Sequence, residues 1–242
     1  RYWMHHGLLT INQEKMSKSL RNFFTIKELL ARFPAEVLRF FLVNHHYRSP
    51  LDFSDQALQE SETALLRLYA ALAKIQDVLR HHPGAIFPES IDYYPPTLTL
   101  EECARIGSLQ GRFDAAMDDD FNTAQALGYL FETVRLGNRL LEAPSSDPGY
   151  LAILHFIGRN LVELGGALNL LQADPREMVR TLRQKSTHLL ISPEEIQELI
   201  AARTAARKNK DFARADAVRK ELADKGILLE DTPQGTVWKV KG

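Results

Sequence analysis

The sequence predicts a mainly α-helical protein with an antiparallel helical bundle and a small C-terminal α+β unit. Apolar residues recur at helical spacing through most of the chain, and residues that cap helix N-termini precede several of these stretches. Two short β-like runs, 227–229 and 236–240, flank a Pro-Gln-Gly turn and predict a closing hairpin. With 45% hydrophobic and 25% charged residues, the composition is that of an ordinary globular protein.

Residues 1–53 form the first predicted region, which opens with an irregular segment over 1–24. At the centre of that segment is a loop rich in lysine and serine. Thr25 suits the cap of a short helix that ends at Phe33, and Pro34 suits the first position of a second helix to His46. We expect no strand–helix–strand succession and no glycine-rich phosphate loop anywhere in the chain.

Residues 54–172 contain four long amphipathic stretches, which predict four helices. Helices of this length must bury their apolar faces against one another, so the region is predicted to be an antiparallel bundle. Each helix start is marked by a capping side chain or a capping box: Ser54, Thr99 with Glu102, Asn122, and Asp147 before Pro148.

Residues 173–191 are interpreted as a linker, and 192–242 as a separate small unit. Ser192 followed by Pro193 is a strong helix start, and that helix is predicted to reach Lys208. Asp211 is expected to cap a second helix that ends at Gly226, before the hairpin.

The composition also bounds the setting of the protein. No apolar run approaches the ~20 residues of a membrane helix, so we expect no membrane association. The single cysteine, Cys103, has no partner for an internal disulfide, and a monomer in the reducing cytoplasm is the default expectation. The opening residues 1–4 resemble neither a signal peptide nor the usual beginning of a translated protein, so we expect this chain to be a fragment of a longer one.

Charge is distributed unevenly along the chain. Residues 176–242 contain 14 Lys and Arg against 10 Asp and Glu, whereas residues 1–175 contain 16 against 21. The C-terminal part is therefore the better candidate for binding a polyanion, although a surplus of this size is also found on ordinary solvated surfaces.

The segment Lys15-Met16-Ser17-Lys18-Ser19 is the strongest candidate for chemistry. Two lysines three residues apart, separated by small residues, place two ammonium groups on one mobile loop. Such a pair suits the charge that develops on ATP phosphates when pyrophosphate leaves. From composition alone, a solvated turn rich in lysine and serine is the more common explanation, because two lysines within five residues occur often.

The same string resembles the second signature motif of class I aminoacyl-tRNA synthetases. It continues through Leu20 to Asn22 as in that family, except that Arg21 stands where the family has glycine. The wider chain resembles cysteinyl-tRNA synthetases in particular, in the parts Tyr2-Trp3-Met4-His5, 38–42, 46–51, 117–123 and 227–238.

The resemblance implies an ATP-dependent ligase that activates cysteine and transfers it to cysteine tRNA. Lys18 is implied as the main catalytic contact to the ATP phosphates, with Lys15 in support, and Met16, Ser17 and Ser19 as further ATP-binding residues. Magnesium would accompany ATP, and a zinc ion that reads the cysteine thiol would be held upstream of Arg1. Because that upstream part is missing, we expect no activity from this chain alone.

The resemblance also places anticodon contacts in the C-terminal unit, at Arg207, Asp216, Asp231 and Trp238. Tryptophan offers a face for base stacking, and the other side chains offer hydrogen bonds. Purely structural roles remain open: Trp238 covering a small core, and Asp216 pairing one helical turn on with Arg219 or Lys220. Phosphate contacts that do not depend on the RNA sequence are expected from other basic residues: Arg203, Lys208, Lys210 and Arg214.

Two alternatives to a tRNA ligase remain at this point. One is a synthetase-like cysteine ligase that acts on an amino sugar, and the other is a non-catalytic helical module that binds tRNA. Two local features look like metal sites but have simpler explanations. His5-His6 lacks further ligands, and the acidic run 118–120 is expected to cap helices and pair with bundle arginines.

Overall fold

The computed structural model describes residues 3–11, 14–15, 25–83, 85, 87, 95, 97–185, 193–208, 211–224, 227–232 and 235–240. The chain divides into two compact units, Arg1–Arg183 and Gln184–Gly242, which are described separately below. The predicted fold class is confirmed: a helical bundle, followed by a small unit of two helices and a hairpin.

A small three-stranded sheet opens unit 1. Its strands are β1 (Leu9–Ile11), β2 (Glu14–Lys15) and β3 (Leu51–Phe53), in the order β2-β1-β3. β1 runs antiparallel to β2 but parallel to β3, and the connection from β1 to β3 passes through two helices. The predictions that 1–24 is irregular and that no strand–helix–strand succession exists are therefore wrong, because strands shorter than about four residues show no readable alternation.

The two connecting helices are α1 (Ile26–Arg32) and α2 (Ala35–Val43). Thr25 caps α1 as predicted, in a reciprocal box with Glu28. Pro34 lies at the N-cap of α2 rather than at its first helical position. The inner face of α2, formed by Val37, Phe40 and Phe41, is almost completely buried.

The predicted helical bundle is confirmed, with α3 (Asp55–Arg80) as its longest helix. Ser54 caps α3 as predicted, and of the apolar stripe predicted from Leu58 to Leu79 the part up to Ile75 is buried, whereas Leu79 is only partly buried. This stripe packs against α2 and against two further helices, α6 (Thr123–Glu142) and α7 (Pro148–Ala167). Asn122 and Asp147 cap α6 and α7 as predicted.

The helix that starts at the Thr99 capping box is interrupted after two turns. It consists of α4 (Leu100–Gly107) and α5 (Leu109–Asp118), which are separated at Ser108. Ser108 Oγ donates to the carbonyl oxygen of Ala104 at 2.7 Å. This kind of local bond from a serine to the backbone commonly bends helices.

The stretch interpreted as a linker contains a further helix, α8 (Pro175–Lys185). Asp174 caps it, since its Oδ1 accepts from the backbone N–H of Glu177 at 3.0 Å. Leu182 is fully buried in the core of unit 1, and Arg176 pairs with Asp77 of α3. The bundle therefore extends beyond residue 172 into the predicted linker.

Unit 2 consists of α9 (Pro193–Lys208), α10 (Phe212–Asp224) and the antiparallel strands β4 (Ile227–Thr232) and β5 (Gly235–Val240). Its described core contains Ile200, Val218, Leu222 and Leu229. Asp211 caps α10 as predicted, accepting from the backbone N–H of Arg214 at 3.1 Å. Ser192, the predicted cap of α9, lies outside the described residues.

We predict that Gly7→Ala destabilises unit 1 by about 1–3 kcal/mol, the usual range for overpacking. Gly7 donates its backbone N–H to the carbonyl of Tyr47, and an added Cβ would collide with the Ser49 carbonyl. Denaturant unfolding followed by circular dichroism measures the change. The control is Gly128→Ala in α6, where an added Cβ meets nothing within 4 Å. It should stabilise the protein by about 0.5–1 kcal/mol. A Gly7→Ala variant that is as stable as the unsubstituted protein would contradict the close contact between Gly7 and the Ser49 carbonyl.

We also predict that acid weakens the start of α4. Hydrogen bonds from Arg139, and then from the Thr99 backbone, lower the pKa of Glu102 from 4.5 to about 2. When folding lowers the pKa of a carboxyl group, the ionised group stabilises the folded protein at pH values above its unfolded pKa. This stabilisation is lost as the pH falls through the pKa of the folded state. Between pH 5 and pH 2, the unfolding free energy should fall less in Glu102→Gln than in the unsubstituted chain. An equal fall in both proteins would refute this assignment.

Candidate functional site

The lysine-rich segment begins on the edge strand of the three-stranded sheet. The backbone of Lys15, at the end of β2, pairs with that of Thr10 in β1. Thr10 Oγ1 in turn donates to Asp52 Oδ1 of β3 at 2.6 Å, so the base of the segment is tied across the whole sheet. The described residues do not include the side chain of Lys15 or any part of the following four residues: Met16, Ser17, Lys18 and Ser19.

The acidic run at the α5–α6 junction pairs with a segment outside the bundle. Asp120 Oδ1 accepts from Tyr47 Oη at 2.6 Å, and Asp120 Oδ2 lies 2.6 Å from Arg48 Nε. Both partners lower the pKa of Asp120, and the hydrogen bond from the Tyr47 hydroxyl has the larger effect. The expectation that this run pairs with bundle arginines is wrong for Asp120, because Arg48 lies between α2 and β3.

The bundle arginines have glutamate partners of their own. Arg105 and Arg112 both bind Glu132 of α6, at 3.0 and 2.6 Å, and Arg139 binds Glu102 of α4. Arg112 also lies over the ring of Tyr129, 4.0 Å from its centroid. These pairs neutralise much of the positive charge on this side of the bundle, which indicates a scaffold rather than a strongly basic binding surface.

Two of the four predicted RNA contacts have described side chains, and both are exposed. Arg207 lies in the last turn of α9, and Asp216 lies on the outer face of α10. The backbone N–H of Asp211 donates to the carbonyl of Ala206 at 2.9 Å, which holds the start of α10 against the end of α9. In the described part of unit 2, no ion pair joins Asp216 to Arg219 or Lys220, so that structural role is not observed.

The other two predicted contacts lie in the hairpin, of which the structure describes the backbone. Asp231 pairs with Thr236, and Trp238 pairs with Leu229. Leu229 belongs to the small core of unit 2. The side chains of Asp231 and Trp238 lie outside the described residues, so their roles as RNA contacts stay predictions.

Arg203 differs from the other basic residues proposed to contact phosphate. Its side chain is only 4% exposed, although it was expected on the surface. A guanidinium buried to this extent serves the interior of the unit and does not reach a phosphate. Helical spacing would have indicated this, because Arg203 lies three residues after Ile200 on the buried face of α9.

Phe212 is a candidate contact that the sequence analysis did not identify. It is the first residue of α10, directly after the Asp211 cap, and it is 61% exposed. Helical periodicity would place it inward, since it lies three residues before the buried Ala215. The side chain is exposed because the packed face of α10 begins one turn later.

The histidines and acidic residues are the candidate ligands for a metal ion. Among the described residues, no three His, Cys, Asp or Glu side chains are grouped so that they could hold a metal ion. His5 and His6 are exposed, and His6 Nδ1 lies 2.7 Å from the carbonyl oxygen of Gly7. No helix in the described ranges is long and apolar enough to cross a membrane.

Three family profiles match the chain in succession. Residues 1–63 match the class I (C) tRNA synthetase catalytic domain, residues 112–172 match the DALR domain, and residues 192–238 match the cysteinyl-tRNA ligase anticodon binding domain. The first match includes the lysine-rich segment, and the third includes Arg207, Phe212 and Asp216.

Curated relatives are similar to the chain over its whole length. The cysteine–tRNA ligase of Trichlorobacter lovleyi is 48% identical over 243 residues, and that of Geobacter sulfurreducens is 50% identical over 244 residues. Both alignments cover 100% of this chain and 48% of the relative, so the chain spans about half the length of the curated relatives it matches.

One solved structure overlaps with most of the chain. The ternary complex of Agrobacterium radiobacter K84 agnB2 LeuRS with tRNA and LeuAMS has a TM-score of 0.48 and 18% identity, and the match covers 98% of this chain and 32% of that chain. A likeness of this strength bears on neither the fold nor the function.

Proposed function

This chain belongs to the cysteine–tRNA ligase family of class I tRNA synthetases, and we propose that it works as half of a ligase that charges cysteine tRNA. The observation that carries the proposal is the ordered succession of matches to a catalytic domain, a DALR domain and an anticodon binding domain, with relatives near 48% identity over the whole chain. The third match also disfavours a ligase that acts on an amino sugar, since such a reaction has no use for an anticodon reader.

The proposed reaction has two steps. A carboxylate oxygen of cysteine attacks the α-phosphorus of ATP, and the bond to the β-phosphate bridging oxygen breaks to release pyrophosphate. A hydroxyl at the 3′ end of tRNA then attacks the activated carbonyl and releases AMP. In the first step, Lys18 is proposed to bind the departing phosphates, with Lys15 in support, because fixed positive charge stabilises the charge that develops there.

The rest of the lysine-rich segment is proposed to hold ATP. Met16, Ser17 and Ser19 would contact the nucleotide, and magnesium would accompany its phosphates. Two ammonium groups suit this task because lysine carries a point charge on a long side chain that can adapt to the phosphates. A zinc ion that reads the cysteine thiol does not fit the described residues, none of which form a group of metal ligands, so no step is assigned to zinc in this chain.

Unit 2 is proposed to read the anticodon, and the bundle of unit 1 to contact the tRNA body. Arg207 and Asp216 are proposed to hydrogen-bond to the RNA, together with Asp231, while Trp238 and the exposed ring of Phe212 stack on bases. The exposure of Arg207 and Phe212 beside the α9–α10 turn supports this proposal.

We predict that the chain, joined to the remaining half of the Trichlorobacter lovleyi enzyme, forms a hybrid that catalyses cysteine-dependent pyrophosphate exchange. Lys18→Ala should lower the exchange rate by about 10²–10³-fold, as expected for the loss of one stabilising charge. The matched control is Lys27→Ala, which removes an exposed lysine from α1. Should the two variants exchange equally fast, Lys18 has no catalytic role, whereas a hybrid without cysteine-dependent exchange would refute the function.

We predict that Phe212→Ala weakens the binding of cysteine tRNA by about 5- to 150-fold, the loss expected for one stacked base. Filter binding with a transcript, compared with a non-cognate tRNA, measures the effect. Leu100→Ala is the control, because Leu100 is the first residue of α4 and is 91% exposed. Arg207→Ala should also reduce the slope of log affinity against log salt by about one. Equal affinities for all these proteins would remove this face of unit 2 from the proposal.

A further inference from the structure

Backbone strain in unit 1 is concentrated in two turns. The described part of the chain has four non-glycine residues with positive φ. Asp120 and Phe121, each at φ 54°, form the turn between α5 and α6, and Asn169 and Leu171, at φ 54° and 61°, form the turn after α7. Aspartate and asparagine tolerate this conformation, but phenylalanine and leucine rarely adopt it, so surrounding contacts must hold both turns.

The turn after α7 is held by side chains of α2. Arg39 Nη1 donates to the carbonyl oxygen of Asn169 at 2.9 Å, and Glu36 Oε1 accepts from the backbone N–H of Leu171 at 2.7 Å. Glu36 also accepts from the fully buried Tyr69 hydroxyl, at 2.8 and 2.9 Å. Burial raises the pKa of Tyr69, and the Glu36 carboxylate raises it further, so the hydroxyl keeps its proton and donates the hydrogen bond.

The turn between α5 and α6 is held by the segment that follows α2. Asp120 accepts from the hydroxyl of Tyr47 and from the guanidinium of Arg48, as described above. The ring of Phe121 is 53% exposed, so core packing does not account for its backbone conformation. These bonds to Asp120, together with the α5 carbonyls that bind the turn, therefore hold it.

All four strained residues thus belong to turns that bind α2 or the residues just after it. We call this arrangement the α2 clamp, which comprises Glu36, Arg39, Tyr47 and Arg48 with the turns 120–121 and 169–171. The first attachment, through Glu36 and Arg39, lies in the first half of α2, whereas the second, through Tyr47 and Arg48, lies beyond the end of the helix at Val43. Attachment at two separated points resists rotation of the helix, which a single contact would permit.

The clamp continues into the sheet that carries Lys15. The carbonyl of Tyr47 accepts from Gly7, that of Leu8 accepts from Leu51, and Thr10 bonds to Asp52. Because β2 pairs with β1, and β1 with β3, the strand that carries Lys15 is held within the sheet, and the segment held by Asp120 attaches that sheet to the bundle.

We propose that the α2 clamp positions the lysine-bearing strand on the helical bundle, and that Glu36 and Asp120 are positioning residues for transfer of cysteine to tRNA. The inference rests on the proposed function. Formation of the adenylate takes place between small molecules and the lysine-rich segment, and bonds inside the sheet hold the base of that segment wherever the sheet lies on the bundle. Transfer also requires a tRNA bound to the bundle, so it depends on the relative position of strand and bundle, and small misplacements of reacting groups are costly.

The test uses the full-length hybrid with the Trichlorobacter lovleyi half. Glu36→Gln and Asp120→Asn should each lower kcat/KM for tRNA charging by about 10- to 100-fold, while pyrophosphate exchange changes by less than about 2-fold. Two controls separate positioning from stability. Glu132→Gln breaks the ion pairs inside the bundle, and Asn169→Gly keeps the carbonyl that Arg39 binds, so both should leave the ratio of charging to exchange unchanged.

Each outcome decides between the alternatives. Parallel loss of exchange and charging, an equal effect of Glu132→Gln, or no effect of either clamp variant would overturn the inference. An unsubstituted hybrid without charging activity would instead overturn the proposed function on which it rests. If Glu36→Gln or Asp120→Asn fails to fold, Tyr47→Phe removes only the hydroxyl bound to Asp120, and the same split between charging and exchange is expected.

Discussion

The buried face of α3 is the constraint on which the rest of unit 1 depends. Leu65, Leu68, Leu72 and Ile75 are at most 1% exposed, and this face meets α2, α6 and α7. Each such side chain contributes roughly 1.5–3 kcal/mol when it is removed from water. Because α2 docks on the same face, the apolar core also decides where the small sheet and its lysine strand can lie.

Burial of α3 brings the hydroxyl of Tyr69 into the core, and this group links distant parts of the chain. The hydroxyl of Tyr69 would be costly to bury without a partner, but it bonds to Glu36 of α2 and accepts from the backbone N–H of Ala173. Hydrogen bonds in such surroundings are directional, whereas apolar packing is not. The apolar core therefore holds the helices together, and the polar contacts set how α2 is oriented.

Charge is arranged differently in the two units. The bundle arginines Arg105, Arg112 and Arg139 face glutamates of neighbouring helices, which suits a scaffold. In unit 2, Arg207 and the ring of Phe212 are exposed near the α9–α10 turn, while Arg203 is buried. The paired charges of the bundle suit a rigid scaffold, and the exposed residues of unit 2 suit the recognition that we propose for it.

The sequence by itself determined most of the helices, the hairpin and the resemblance to a family, but not α8 or the break between α4 and α5. Capping residues such as Ser54 and Thr99 bind N–H groups two or three residues away, so their effect depends only on local spacing. Tertiary structure alone decided the pairing of β1 with β3, the partners of Asp120 and the exposure of Phe212. Tyr47 and Asp120 are 73 residues apart in the chain, and no local pattern records a contact that exists only because packed helices bring its two ends together.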